Sequence, residues 1–579
     1  MVDPASLRAL DLFRDLTEAE AASLAERFER RIVPGGEALL REGDPAQRLH
    51  IVLSGRLAIS RGGGPLLTSI GRGEPVGEVA FFGGGTRTAD AIATRDSEVL
   101  SIARADFDAV ADAHPALWRA VTVALSGRLA AATKALPHGD AALAAPRTLV
   151  VAPAGKAALP ERFVADLVRA VEALGTRCRA LDAIPGEDAE RVTAQEATCD
   201  LLLLVVGSDA DDWARLAVRQ ADAALIVTPT GAAEPPGPVE ALIEARLRPS
   251  DIRLVATEGL ASPWLATRQA GAVSMGAEPA PIARYITGRA RGLVLGGGGA
   301  LGGAHVGLYF ALREAGIDFE HFGGTSVGAA IAAALALGLD RREIVERCTD
   351  IFLTNRSLRR WTLPRYSLVD PATVDRMLRL HYGQGLIEDM PRAFFGVGAD
   401  LSDGTAFVMR RGPLWQAVRA SCSIPALLPP MVDEAGRILV DGGIVDNLPI
   451  DPMRAVKVGP NVAIVLGAAN WRRAAYRYED LPGRGALMRG ALTPWRRTRH
   501  VRAPRLGQVL TRSILLASDE AVRRSMAAAD AVFEPPLPKG MGIMAWNRFA
   551  AHEQASYDWA RAEIERCLAA DPQALDAFR

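Results

Sequence analysis

Three rhythms of apolar and polar positions follow one another along the 579-residue chain. Up to about residue 130, short apolar stretches at 49–53, 55–59 and 98–102 are separated by glycine turns, with helical spacing at 18–30 and 104–132. Short strands at turn-separated intervals with flanking helices predict a small β-roll over 1–130. Residues 131–147 (AATKALPHGDAALAAPR) are small, proline-containing and aperiodic, which predicts a linker. From Thr148 the apolar runs become continuous, at 149–151, 201–206 and 223–227, and alternate with helical stretches such as 161–174. Continuous runs are strands buried on both faces, so a parallel, Rossmann-like α/β segment covered by helices is expected over 148–285. A third region, 286–579, opens on a strand at 292–295 and is mostly helical in pattern beyond Leu506. No internal repeat is visible.

Composition narrows the class of protein. Hydrophobic residues at 49% and charged residues at 23% describe ordinary globular domains. Lys+Arg 67 against Asp+Glu 68 argues against a general nucleic-acid binder. The five cysteines (Cys178, Cys199, Cys348, Cys422, Cys567) are scattered and contain no CxxC pair, so neither a disulfide scaffold nor a metal site is expected. The N-terminus lacks a signal-like layout, and no apolar run approaches the roughly 18 residues of a membrane span. A cytoplasmic, multidomain chain is the expectation.

Candidate chemistry is densest at Gly296-Gly297-Gly298-Gly299-Ala300-Leu301-Gly302-Gly303, directly after the strand at 292–295. A glycine loop between strand and helix turns N–H groups toward an anion, either a nucleotide phosphate or the oxyanion of acyl transfer. Gly297-x-Gly299-x-x-Gly302 satisfies the dinucleotide fingerprint, which is weak alone. About twenty residues on, Gly324-Thr325-Ser326-Val327-Gly328 runs into a helix and reads as a nucleophile elbow. That elbow directly after the glycine loop argues against a dinucleotide oxidoreductase. A serine needs a base. None of the eight histidines follows the elbow in a catalytic context, and His305 reads as helix packing. Asp441, at the end of the apolar run 438–440 and before Gly442-Gly443, is a carboxylate candidate, although aspartate is also an ordinary turn former.

GGGGALG, GTSVG and DGG in this order, with AVRASCSIPALLPP (417–430) before the last, resemble the patatin-like phospholipases, most closely bacterial relatives of neuropathy target esterase. The resemblance covers roughly 286–571. It implies an α/β hydrolase fold and hydrolysis of phospholipid or lysophospholipid acyl esters. It also implies Ser326 as nucleophile, Asp441 as general base, and an oxyanion hole from the amides of Gly297, Gly298 and Gly299. No metal or catalytic cofactor is implied. Leu301 stands where the family usually has arginine or lysine, so a chain whose hydrolase is impaired, acting as a nucleotide sensor or scaffold, is the alternative.

The roll carries a second signature, Gly77-Glu78-Val79-Ala80-Phe81-Phe82-Gly83-Gly84-Gly85-Thr86-Arg87-Thr88-Ala89. One arginine can pair a phosphate and one glutamate can accept from a ribose hydroxyl. With the text around it, residues 7–129 resemble cyclic-nucleotide-binding domains, which implies Gly77, Glu78, Arg87 and Thr88 as ligand residues. Thr86 replaces a usual proline and Asp90 a usual threonine or serine, which leaves cyclic AMP, cyclic GMP or no ligand open; the bland reading is a packing barrel. In the middle segment Gly155-Lys156 suggests a P-loop, but Val150 and Ala157 stand where Walker A requires glycine and Ser/Thr. The related esterases carry a comparable degenerate segment. Finally, 471–505 holds ten arginines, no lysine, and Trp471, Tyr476, Tyr478 and Trp495, and 355–366 (NRSLRRWTLPRY) repeats the style. Such stretches suit the surface of an anionic membrane, with a solvated loop as the plain alternative. Homo-oligomer formation is left open.

Overall fold

The computed structural model describes residues 7–8, 13, 17–62, 66–113, 145–182, 189–229, 231–467, 477–486, 509, 518–538, 540–571, 573 and 575–578. Most of the linker at 131–147, the helical pattern beyond Ala113, and the arginine-aromatic segment 471–505 apart from 477–486 lie outside them. The chain forms two compact units: Met1–Ala290 with Arg454–Gly459, and Arg291–Met453 with Pro460–Arg579.

The first unit begins with the roll. Its strands are β1 (Glu29–Val33), β2 (Ala38–Leu40), β3 (Arg48–Ser54), β4 (Leu57–Ser60), β5 (Leu66–Ile70), β6 (Pro75–Val76), β7 (Asp90–Ala93) and β8 (Ser97–Ala103). They form two antiparallel sheets, β1-β8-β3-β6 and β2-β7-β4-β5. The helix expected over 18–30 stops earlier. A capping box from Thr17 and Glu20 starts it, it spans Glu18–Ala25, and Glu29–Val33 is strand because it pairs with β8.

Six parallel strands follow: β9 (Thr148–Pro153), β10 (Cys178–Leu181), β11 (Leu201–Val205), β12 (Ala223–Val227), β13 (Ile252–Ala256) and β14 (Ala272–Met275). Their order is β10-β11-β9-β12-β13-β14. Relative to the dinucleotide-binding order, the second and third strands exchange places. The crevice beyond β9, where such sheets take ligands, is occupied by the chain's own carboxylates. Glu240 Oε2 accepts from the N–H groups of Gly155 (2.8 Å) and Gly237 (2.6 Å), and Glu234 accepts from Lys156 N–H. Arg268 pairs with Glu240 at 2.5 Å, both side chains being buried. The Gly155-Lys156 turn is therefore filled from within. Arg95 joins roll to sheet, pairing with Glu196 (2.8 Å) and Asp222 (3.2 Å), with all three side chains buried.

The second unit holds an eight-stranded sheet: β15 (Gly292–Leu295), β16 (His321–Thr325), β17 (Ala393–Asp400), β18 (Thr405–Met409), β19 (Met431–Val432), β20 (Ile438–Asp441), β21 (Asn461–Ile464) and β22 (Ala531–Phe533). The order is β19-β20-β17-β16-β15-β21-β22, with β18 on β17. The pairs β16-β15, β15-β21, β21-β22 and β16-β17 are parallel; β18, β20 and β19 join antiparallel. Helices at Gly303–Glu314, Val327–Ala336 and Phe549–Ala570 contribute to one apolar core with the sheet. Among the described residues, no helix is long and apolar enough to cross a membrane.

Candidate active site

Sheet register explains how distant residues meet. Thr325, the last residue of β16, is level with Val397 of β17, and Gly398 is level with Asp441 at the end of β20. Residue 326 and residue 441 therefore emerge side by side. Ser326 is the turn between β16 and the helix Val327–Ala336, with φ 57° and ψ −128°. Left-handed φ is costly for a non-glycine residue, and the flanking glycines are what make the turn fit. A Cβ on Gly328 would collide with the Leu295 carbonyl, and one on Gly324 with the backbone of Gly328.

Ser326 Oγ donates to Asp441 Oδ2 at 2.6 Å, and both residues are buried. Asp441 Oδ1 accepts from Gly443 N–H at 2.8 Å. Burial raises the Asp441 carboxyl to about 6, only partly offset by these two hydrogen bonds. It is ionised near neutrality yet basic for a carboxylate, which suits a proton acceptor. Among the described residues no histidine hydrogen-bonds to either side chain. His305 Nε2 donates instead to the Gly296 carbonyl at 2.7 Å, and burial lowers its pKa to about 4. It steadies the root of the glycine loop as a neutral ring.

The glycine loop lies against the nucleophile: a Cβ on Gly297 would come within 3.2 Å of Ser326 Cβ. Its three amides are not equivalent. Gly297 N–H donates to the Asn447 carbonyl at 3.2 Å, unlike the expectation that all three face an oxyanion. The N–H groups of Gly298 and Gly299 meet no acceptor among the described residues. Leu301 is buried in the adjoining core.

Several supporting residues lie in the stretch 417–430, whose sequence does not show their individual roles. Ser421 Oγ accepts from Ser326 N–H (2.9 Å) and donates to the Val397 carbonyl (2.6 Å). The Ser423 carbonyl accepts from Asp441 N–H, and buried Arg419 holds the Ser423 hydroxyl, Asp375 and the Pro429 carbonyl. Only the serine-rich run before DGG hints at this.

In the roll, Gly77 has φ 75° and precedes the short helix Glu78–Gly83. Arg87 and Glu78 are buried and Thr88 is exposed. The Arg87 guanidinium donates to the carbonyls of Gly77 (2.7 Å) and Arg48, with Asp44 and Glu78 acting on it through space. The Asp90 carboxylate is engaged by Glu42 N–H at 2.8 Å. Among the described residues no cluster of metal-binding side chains occurs.

A serine on a strained strand–helix turn, a buried aspartate at 2.6 Å and a glycine loop beside them define a patatin-type hydrolase domain. Family models agree: 293–454 match the patatin-like phospholipases and 30–114 the cyclic nucleotide-binding domain. The chain belongs to the NTE family. It is 30% identical over 584 residues to an NTE family protein of Mycobacterium bovis, covering 97% of this chain and 96% of that one. It is 26% identical to the neuropathy target esterase of Drosophila melanogaster, covering 77% of this chain and 36% of that one. The catabolite activator protein of Thermus thermophilus is similar at 31% identity and a TM-score of 0.20, over 21% of this chain and 60% of that one.

Proposed function

We propose that the protein is a serine esterase that hydrolyses acyl esters of phospholipids or lysophospholipids through Ser326 and Asp441. The observation that carries this reading is the 2.6 Å hydrogen bond from the Ser326 hydroxyl to a buried carboxylate of raised pKa. Asp441 takes the hydroxyl proton as Ser326 Oγ attacks the ester carbonyl carbon. The negative charge that develops on the carbonyl oxygen is held by the amides of Gly298 and Gly299, while Gly297 fixes the loop through Asn447. Protonated Asp441 returns its proton to the departing alcohol, and water attacking the acyl-serine completes the cycle with Asp441 again as base. Ser326→Ala in the full chain should abolish hydrolysis of acyl esters, phospholipid and soluble alike, without lowering the melting temperature. Retention of turnover by that variant would reject the assignment.

Regulation belongs to the same reading. Arg87 is buried with carbonyl hydrogen-bond partners, an arrangement that a phosphate would complete, with Glu78 for the ribose hydroxyl. Cyclic AMP or cyclic GMP binds weakly or selectively in the roll, and hydrolysis responds only if the ligand favours one state of the hydrolase. Calorimetric titration with each nucleotide tests this; Arg87→Ala should weaken binding about ten- to a hundredfold. The enzyme works in the cytoplasm, in peripheral contact with a membrane that presents its substrate.

A further inference from the structure

We infer that the loop 356–368 is a docking surface for an anionic lipid bilayer; this rests on the lipid-ester reading and supplies its missing partner. Residues 361–366 are all exposed. Trp361 is 69% exposed, Leu363 86% and Tyr366 76%, three large apolar side chains within six positions. Adjacent exposed apolar groups of this size on a globular protein mark an interaction site. Around them stand Arg356, Arg359, Arg360 and Arg365, and no acid occurs between Asp350 and Asp370. Among the described residues none of these four arginines pairs with a carboxylate.

The apolar tip is held in shape. Thr362 N–H donates to the Leu368 carbonyl (3.0 Å), Asp370 N–H to Arg360 (2.8 Å), and the Ser367 hydroxyl to Val369 (2.8 Å), while Trp361 bridges to Val369. Little conformational entropy is lost when such a loop meets a surface. Its base is tied to the site. Leu368 and Val369 donate to the carbonyls of Ala426 and Leu427, three and four residues beyond Ser423, whose carbonyl accepts from Asp441 N–H. Docking here brings the bilayer to the segment that positions the base.

Charge selects the occupant. Tryptophan and tyrosine settle at the boundary between headgroups and acyl chains, and arginines beside them pair with lipid phosphates. A second copy of this chain docking the same face would set these arginines against their own counterparts.

The experiment uses the full chain carrying Ser326→Ala, so that vesicles stay intact and the outcome is independent of catalysis. Co-sedimentation is measured with phosphatidylcholine vesicles with and without phosphatidylglycerol. Binding should require the anionic lipid and weaken with salt. Arg359→Gln with Arg360→Gln should lower partitioning roughly 30-fold, at about 1 kcal/mol per arginine near the surface. Trp361→Ala with Leu363→Ala and Tyr366→Ala should abolish binding in low and high salt alike. Both variants should melt at the parent temperature. Unchanged sedimentation of either variant overturns the inference, as does a parent that ignores anionic vesicles, whether it binds RNA through the arginines or pairs into dimers. Loss of ester hydrolysis by the unmodified chain, with vesicle binding intact, would reject the enzymatic reading and leave the surface standing.

Discussion

Replacing Asp441 by asparagine separates the two consequences of burying that carboxylate. Its pKa rises from 3.8 to about 6 on folding, mainly through desolvation. Below about 4 it is protonated in both folded and unfolded chains and carries no penalty. Between about 4 and 6 the unfolded chain ionises first, so stability falls as pH rises, and above about 6 the loss is complete. A shift of about two units corresponds to about 3 kcal/mol at pH 8. Asparagine can still accept from Gly443 N–H and donate to Ser326 Oγ, without charge. The variant should therefore be more stable than the parent by about 3 kcal/mol at pH 8 and nearly equal to it at pH 4. Asp446, also raised to about 6 by burial, is present in both proteins and cancels in the comparison. The same change should cost about 10²–10⁴-fold in turnover, the usual contribution of a general base. In the parent, kcat/KM should fall as pH drops through about 6. Denaturant melts at both pH values and hydrolysis of a soluble ester provide the two readouts. Stabilisation of equal size at pH 4 and pH 8 would refute the desolvation argument, and near-normal turnover would refute the base.

Ser421→Ala leaves Ser326 N–H and the Val397 carbonyl without their partner, each at about 1–3 kcal/mol; turnover should fall about tenfold or more with KM little changed, read by steady-state kinetics. Leu301→Arg should alter turnover less than Ser326→Ala does but lower the melting temperature, since the position is buried; an inactive parent rescued by this arginine would establish the impaired-hydrolase alternative. Glu240→Ala strands the buried Arg268 and frees the amides of Gly155 and Gly237, so the first unit should lose about 3–5 kcal/mol in denaturant melts.

What could be read in the sequence was local. The runs at 201–206, 223–227 and 292–295 become strands within a residue of their expected ends, because continuous apolar residues have no other use at that length. The elbow and DGG were visible because tight turns demand glycine. What escaped was set by partners far along the chain. Glu29–Val33, four of whose five residues are exposed, has no strand pattern and exists through its pairing with β8. Ala531–Phe533, in a tail expected to be mostly helical, is three residues long and is held by β21, level with Val462–Ile464. Ser421 and Asn447 look like any polar residues until the sheet brings them beside Ser326 and Gly297. The filled crevice of the middle segment was half legible: the missing Walker residues argued against phosphate, but nothing indicated that Glu240 and Arg268 occupy the space.

Departures from local backbone rules in the second unit gather around one place. Among the described residues four non-glycine positions have positive φ, and three lie here: Ser326, Arg356 and Ala426. Ser326 is the proposed nucleophile. Ala426 supplies the carbonyl that anchors Leu368, and Arg356 opens the arginine loop. Each such position costs of order 1–3 kcal/mol and persists only where surrounding packing fixes it. Beside them sit a carboxylate that burial makes hard to ionise and two amides that meet no acceptor among the described residues. Packing for stability alone would remove all of these, since each raises the energy of the folded chain. A site that must aim a hydroxyl, accept its proton and hold a new negative charge requires the serine turn, the buried base and the open amides. The strain at Ala426 and Arg356 extends that requirement to the loop, whose position relative to Asp441 is fixed through Ser423.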